Sequence, residues 1–125
     1  MILGTGIDIA EVDRIRAAIE RHGRRFVERV FTPLEIEYVE KKANRYERYA
    51  ARFAAKEAGM KAIGTGMRRG VTWHDFEVRN QRGGRPALHL SGAAAGIAQT
   101  LGVARISLSL THTASQGMAF VVMED

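Results

Sequence analysis

Arg52-Phe53-Ala54-Ala55-Lys56-Glu57-Ala58-Gly59-Met60-Lys61, followed by Gly64-Thr65-Gly66, reads as the centre and end of the chain's longest helix. At about 100° per residue, Tyr46, Ala50, Phe53, Ala54 and Met60 make one apolar stripe. The same spacing turns Glu57 and Lys61 into that stripe and sends Arg45, Arg48, Arg52 and Lys56 to the far side. A carboxylate facing a core is costly unless it is paired, hydrogen-bonded or holding a metal. The expectation is therefore an anion or metal site at a packed interface. The bland alternative for Glu57 and Lys61 is a solvent-facing i,i+4 ion pair worth a few tenths of a kcal/mol.

Working outward, Asn44-Arg45-Tyr46-Glu47 has the form of a capping box for this helix, and Gly64 is its stop. Before it, Thr32-Pro33-Leu34-Glu35 combines an N-cap hydroxyl, a first-turn proline and a capping-box glutamate, opening a helix to about Lys42. Residues 2–9 alternate as a strand, with Leu3, Ile7 and Ile9 on one face and Asp8 on the other. A helix follows with Ile15, Ala18, Ile19 and His22 at helical spacing, near Gly23. Val71–Arg79 reads as a strand, Gly83-Gly84 as a turn and Pro86–Leu90 as a short edge strand. Ser91 stands where it would cap an Ala-rich helix ending at Leu101. Ala104–His112 and Met118–Glu124 form a hairpin. Helices thus gather in the first half and pack on a small, mostly antiparallel sheet, an α+β arrangement in a single domain, residues 1–125.

Composition narrows the function classes. The 125 residues contain no cysteine, which excludes disulfides, thiolate metal sites and a cysteine nucleophile. No basic-then-apolar leader and no membrane-length apolar run occur, so a soluble, cytoplasmic protein is expected. Nineteen Lys and Arg against 14 Asp and Glu give a net charge of +5, which suits an anionic ligand or an acidic partner. A basic nucleic-acid-binding module is the competing class. It would want interleaved exposed aromatics or a groove-reading motif, and neither is found.

Several residues fit two roles. Asp8 fits an N-cap in Asp8-Ile9-Ala10-Glu11, and equally a hard-cation ligand beside Gly4 and Gly6, which would let a bulky ligand approach the backbone. Local spacing favours the cap. His112, between Thr111 and Thr113, is either a strand-end histidine or a donor to an anion. Arg14, Arg21, Arg24 and Arg25 make either a solvated face or a docking surface.

Taken together, these segments resemble the holo-[acyl-carrier-protein] synthases, the short single-domain group of 4′-phosphopantetheinyl transferases. The resemblance rests on Gly6-Ile7-Asp8-Ile9 with Glu11 and Arg14-Ile15, on Phe31-Thr32 with Glu35, and on Arg52–Ala58 with Lys61 and Gly64-Thr65-Gly66. Trp73, Phe76-Glu77-Val78, Gly84-Arg85-Pro86 and the closing Ser107–Thr113 with Ala119–Val122 complete it. Thr111 departs from the usual serine but keeps the hydroxyl.

The resemblance implies transfer of phosphopantetheine from coenzyme A to a serine of an acidic apo acyl carrier protein, with release of adenosine 3′,5′-bisphosphate, a step in fatty acid and lipid metabolism. It implies Mg²⁺ held by Asp8 and Glu57 (Mn²⁺ suits the same oxygen donors), and Lys61 at the reacting phosphate. Either Glu57 or a metal-bound water would accept the serine proton. It further implies coenzyme A contacts from Arg52, Lys56, Gly64, Gly66, His112 and Thr113, and carrier docking on Arg14, Arg21 and Arg24. The family's homotrimer places its active sites between subunits, so a neighbour could supply Arg52 or His112 to the 3′-phosphate. A non-catalytic carrier-binding scaffold is the remaining alternative; intact Asp8, Glu57 and Lys61 speak against it.

Overall fold

The computed structural model describes all 125 residues. Strand β1 (Ile2–Glu11) leads into helices α1 (Val12–His22), α2 (Arg24–Val30), α3 (Pro33–Glu40) and the long α4 (Arg45–Ile63). A 3₁₀ turn at Trp73–Asp75 precedes β2 (Phe76–Asn80) and β3 (Pro86–Leu90). Helix α5 (Gly92–Leu101) and strands β4 (Arg105–His112) and β5 (Gln116–Glu124) close the chain. Two antiparallel sheets result, one ordered β1-β5-β4 and the other pairing β2 with β3. This is the expected α+β class, with the small sheet divided in two. None of the helices is long and apolar enough to cross a membrane.

The contact of α4 with β1 organises the molecule, and glycines make it possible. A Cβ at Gly4 would fall on the backbone carbonyl oxygen of Ala62, and one at Gly6 on that of Ala58. Four helical residues rise about 6 Å and two strand residues about 6.8 Å, so the pairs Gly4–Ala62 and Gly6–Ala58 keep step along the two elements. Gly117 on β5 meets the backbone of Ala50 and Ala51 in the same way. The glycines beside Asp8 thus admit a helix backbone, and not the bulky ligand that the sequence suggested.

This seating buries α4 on nearly every side, which overturns the helix-wheel reading. Lys56 and Arg52, assigned to the far side, are buried, while Glu57 is half-buried and Lys61 exposed. A helix enclosed by a sheet on one side and by other elements on the other has no single inward face. Lys56 ion-pairs with Glu35 Oε1 at 2.7 Å and donates to the carbonyls of Phe76 and Trp73. The same Glu35 completes the Thr32 capping box, accepting from Thr32 N at 2.9 Å, and also accepts from Val78 N at 2.8 Å. One buried carboxylate therefore ties α3, α4 and β2 together. The core around it is led by Phe31, Tyr49, Met60, Phe76 and Val121.

Other local expectations change for identifiable reasons. Asn44 occupies the N-cap position of α4 but makes no cap bond; its Oδ1 accepts from Arg48 Nε at 2.9 Å, and Glu47 turns to His112. Val71–Arg79 is not a continuous strand, because Thr72 and Asp75 close a capping box around the 3₁₀ turn. Asp75 also caps α5, accepting from Ala94 N at 3.2 Å, the role expected of the Ser91 hydroxyl. Helix α2 lacks a polar side-chain cap and begins at Gly23, where φ is +59°, so no local start signal marks it.

Candidate active site

Asp8 lies within β1 and faces α4, as its pairing with Ala119 and its alternation with Gly4, Gly6 and Ala10 require. It does not cap α1, whose N-cap position is Glu11. Ile7 and Ile9 point the other way and are about half exposed, at 55% and 49%. The polar face of this strand is therefore the one turned to the helix, and the apolar face is left open.

Lys61 reaches across from the last turn of α4. Its Nζ donates to the Asp8 carboxylate at 3.0 Å and to the Ile7 carbonyl at 2.9 Å. Glu57 stands one turn earlier on the same helix. Burial raises the affinity of its carboxyl for a proton, the negative charge of Asp8 raises it further, and Lys61 opposes both. Two carboxylates and an ammonium thus meet where β1 crosses α4. Carboxylate repulsion of this kind is relieved by a cation, and an all-oxygen donor set fits Mg²⁺. No cluster of three or more His, Cys, Asp or Glu exists that could enclose a metal by itself. Such a two-carboxylate site leaves coordination positions to substrate oxygens.

Arg52 and His112 occupy a second place. Both line a cavity of about 210 Å³, together with Tyr38, Arg48, Asn80 and Gly84. His112 Nδ1 bonds Glu47 Oε2 at 3.1 Å. Asp8, Glu57 and Lys61 take no part in this cavity. Lys56, expected beside the coenzyme, is withdrawn from any ligand: it is sealed in the core, with its ammonium committed to Glu35 and two carbonyls. Gly64 is the left-handed stop of α4, its N–H bonding back to Met60 and Lys61, and Gly66 lies two residues beyond. The Thr113 hydroxyl accepts from Ser115 N and Gln116 N in the β4–β5 turn.

Arg14 and Arg21 are exposed and free of ion pairs, whereas Arg24 is matched by Glu28 at 2.9 Å. Arg14 borders an open groove of about 550 Å³ whose floor includes Ile9, Ile15, Ala18, Phe26 and Phe53. Sequence reasoning missed Glu35 as the partner of Lys56, and Tyr38 and Asn80 around Arg52. No local signal marks them, since each meets its partner only through tertiary packing.

Comparison with known proteins shows the family and the fold. The family model of the 4′-phosphopantetheinyl transferase superfamily (ACPS) matches residues 4–119. A holo-[acyl-carrier-protein] synthase of Solibacter usitatus is 65% identical over 125 residues, covering 100% of both chains. The crystal structure of the synthase from Neisseria meningitidis superposes with a TM-score of 0.91 at 34% identity, covering 100% of both chains. That of Bacillus anthracis, in complex with CoA (3′,5′-ADP), gives 0.81 at 36% identity, covering 98% of this chain and 96% of that one. The chain belongs to the 4′-phosphopantetheinyl transferase superfamily, as an enzyme of its holo-[acyl-carrier-protein] synthase family.

Proposed function

We propose that this enzyme transfers the phosphopantetheine arm of coenzyme A to a serine of an acidic apo acyl carrier protein in a Mg²⁺-dependent reaction. The meeting of Asp8, Glu57 and Lys61 at the crossing of β1 and α4 carries this reading. The serine oxygen forms a bond to the phosphorus that bears pantetheine. The pyrophosphate P–O bond breaks, and adenosine 3′,5′-bisphosphate leaves with the electron pair. Bound by Asp8 and Glu57, Mg²⁺ would supply Lewis-acid stabilisation of the phosphate oxygens.

Lys61 opposes the charge that gathers on those oxygens, the dominant need in phosphoryl transfer. Its exposed ammonium is held at the crossing by Asp8 and the Ile7 carbonyl. Glu57, one turn before Lys61 on the same helix, is assigned the acceptance of the serine proton. Gly64 and Gly66 extend the same helix end and leave room for phosphate oxygens.

Arg52 and His112, with Thr113 nearby, are assigned to the 3′-phosphate of the donor, in the cavity they share. One chain holds the two sites apart, so a homotrimer with active sites between subunits completes the assembly. Ile7 and Ile9, with Phe120 at 44% exposure, give the outer sheet face the apolar patch that such an interface needs. The groove bordered by Arg14, with Arg21 and Arg24 further along, is the docking face for the carrier.

Mass spectrometry of an apo carrier protein incubated with the enzyme, coenzyme A and Mg²⁺ tests the reaction. A gain of the phosphopantetheine mass on the carrier serine is expected. No transfer to any apo carrier protein would sink the reading.

A further inference from the structure

Arg52 is an unusual cation. It is only 3% exposed, yet no carboxylate lies within ion-pairing distance of it. Its Nε is the one buried side-chain polar atom in the chain without a hydrogen-bond partner. The neighbouring acid, Glu35, is already committed to Lys56. A buried, uncompensated guanidinium is costly, and the cavity beside it is where a compensating anion would enter.

Two neighbours hold this cation without neutralising it. The ring of Tyr38 lies under the guanidinium, with Cζ 4.5 Å from the ring centroid. Asn80 Oδ1 accepts from Nη2 at 2.8 Å, while Asn80 Nδ2 donates to the Gly84 carbonyl at 3.2 Å. The amide therefore fixes the guanidinium in its plane and braces it against the β2–β3 turn. A carboxylate in that place would anchor Arg52 equally well but cancel its charge. Arg48 adds a second cation to the cavity, tethered by its Nη1 to the Tyr38 hydroxyl at 3.5 Å.

We propose that Asn80 and Tyr38 are positioning residues for Arg52, and that they set the discrimination between a nucleotide bearing a ribose 3′-phosphate and the same nucleotide without it. The inference rests on reading this cavity as the 3′-phosphate pocket of the donor. Its distinctive claim is that a neutral acceptor and an aromatic face preserve the charge that the phosphate needs.

Titration calorimetry with adenosine 3′,5′-bisphosphate and adenosine 5′-monophosphate tests it, the readout being the ratio of the two affinities. Asn80→Asp is expected to lower that ratio at least tenfold, and Tyr38→Leu to lower it several-fold. Tyr38→Phe, which keeps the ring, should hold it within about twofold of the parent. Should Asn80→Asp not fold, Asn80→Ala carries the same readout with a several-fold loss expected. An unchanged ratio in the folded Asn80 variant, with both nucleotides weakened alike, would reduce Asn80 to a structural role and overturn the proposal. If Arg52→Ala lowers the ratio and the Asn80 variant does not, the pocket assignment stands and this inference falls. A parent protein that binds both nucleotides equally removes the pocket assignment and the inference together.

Discussion

Lys61 donates to Asp8 at 3.0 Å across 53 positions of sequence, and this bond joins the last turn of α4 to β1. The bond exists because β1 lies directly on the backbone of α4. Asp8, Glu57 and Lys61 then need only one crossing to meet.

Asp8→Asn and Glu57→Gln should each lower transfer to the carrier at least about 10²-fold, since each removes a carboxylate from a site that needs anionic oxygen donors. Both variants should fold, as shown by unchanged circular dichroism. Full activity in Asp8→Asn would return Asp8 to a purely structural role.

Gly6→Ala should be far more damaging than a single methyl suggests. The new Cβ would meet the Ala58 carbonyl oxygen, a backbone atom that cannot turn aside. Overpacking of this kind costs about 1–3 kcal/mol, and here strand and helix must separate as well. Urea denaturation should show the loss, with activity falling further than stability as Asp8 moves away from Glu57.

Lys56→Met should destabilise the fold by about 3–5 kcal/mol, because it strands the buried Glu35 carboxylate. Pairing it with Glu35→Gln should recover part of that loss, since the amide is neutral, but its single oxygen keeps only one of the bonds that Oε1 and Oε2 accept from Thr32 N and Val78 N. A double variant whose loss equals the sum of the two singles would show that the pair carries no coupling.

The pH dependence of metal-free stability follows from Glu57. Its folded-state proton affinity is raised by burial and by Asp8, so in the window above the ordinary glutamate pKa the folded state binds more protons than the unfolded one. Stability contributed by this group therefore falls as pH rises through that window. Glu57→Gln should flatten this part of the curve and make the metal-free protein more stable at neutral pH while abolishing turnover. Denaturation curves from pH 4 to 8 in chelator check the sign; a slope identical to the parent's would refute it.

Much of the fold is legible in local signals because those signals act locally. The Thr32-Pro33-Leu34-Glu35 box forms as written, Gly64 stops α4 in the left-handed conformation, and the last two strands pair as a hairpin. The Asn44 and Ser91 caps fail because competing partners, Arg48 and Asp75, offer better-placed bonds.

For the site, helical spacing singled out Glu57 and Lys61, whereas Asp8 as a ligand and Arg52 and His112 as coenzyme contacts came only with the family resemblance. Only the packed structure separates the charges of α4 by purpose. Periodicity alone sent Lys56 and Arg52 outward and turned Glu57 and Lys61 inward, because a helix wheel assumes one buried face. Enclosure of α4 removes that assumption. Lys56 becomes the partner of a buried glutamate, Arg52 a caged cation without a counter-ion, and Glu57 and Lys61 the edge that meets Asp8. Chain chemistry names the groups; the close approach of two backbones, permitted by Gly4 and Gly6, determines which of them meet.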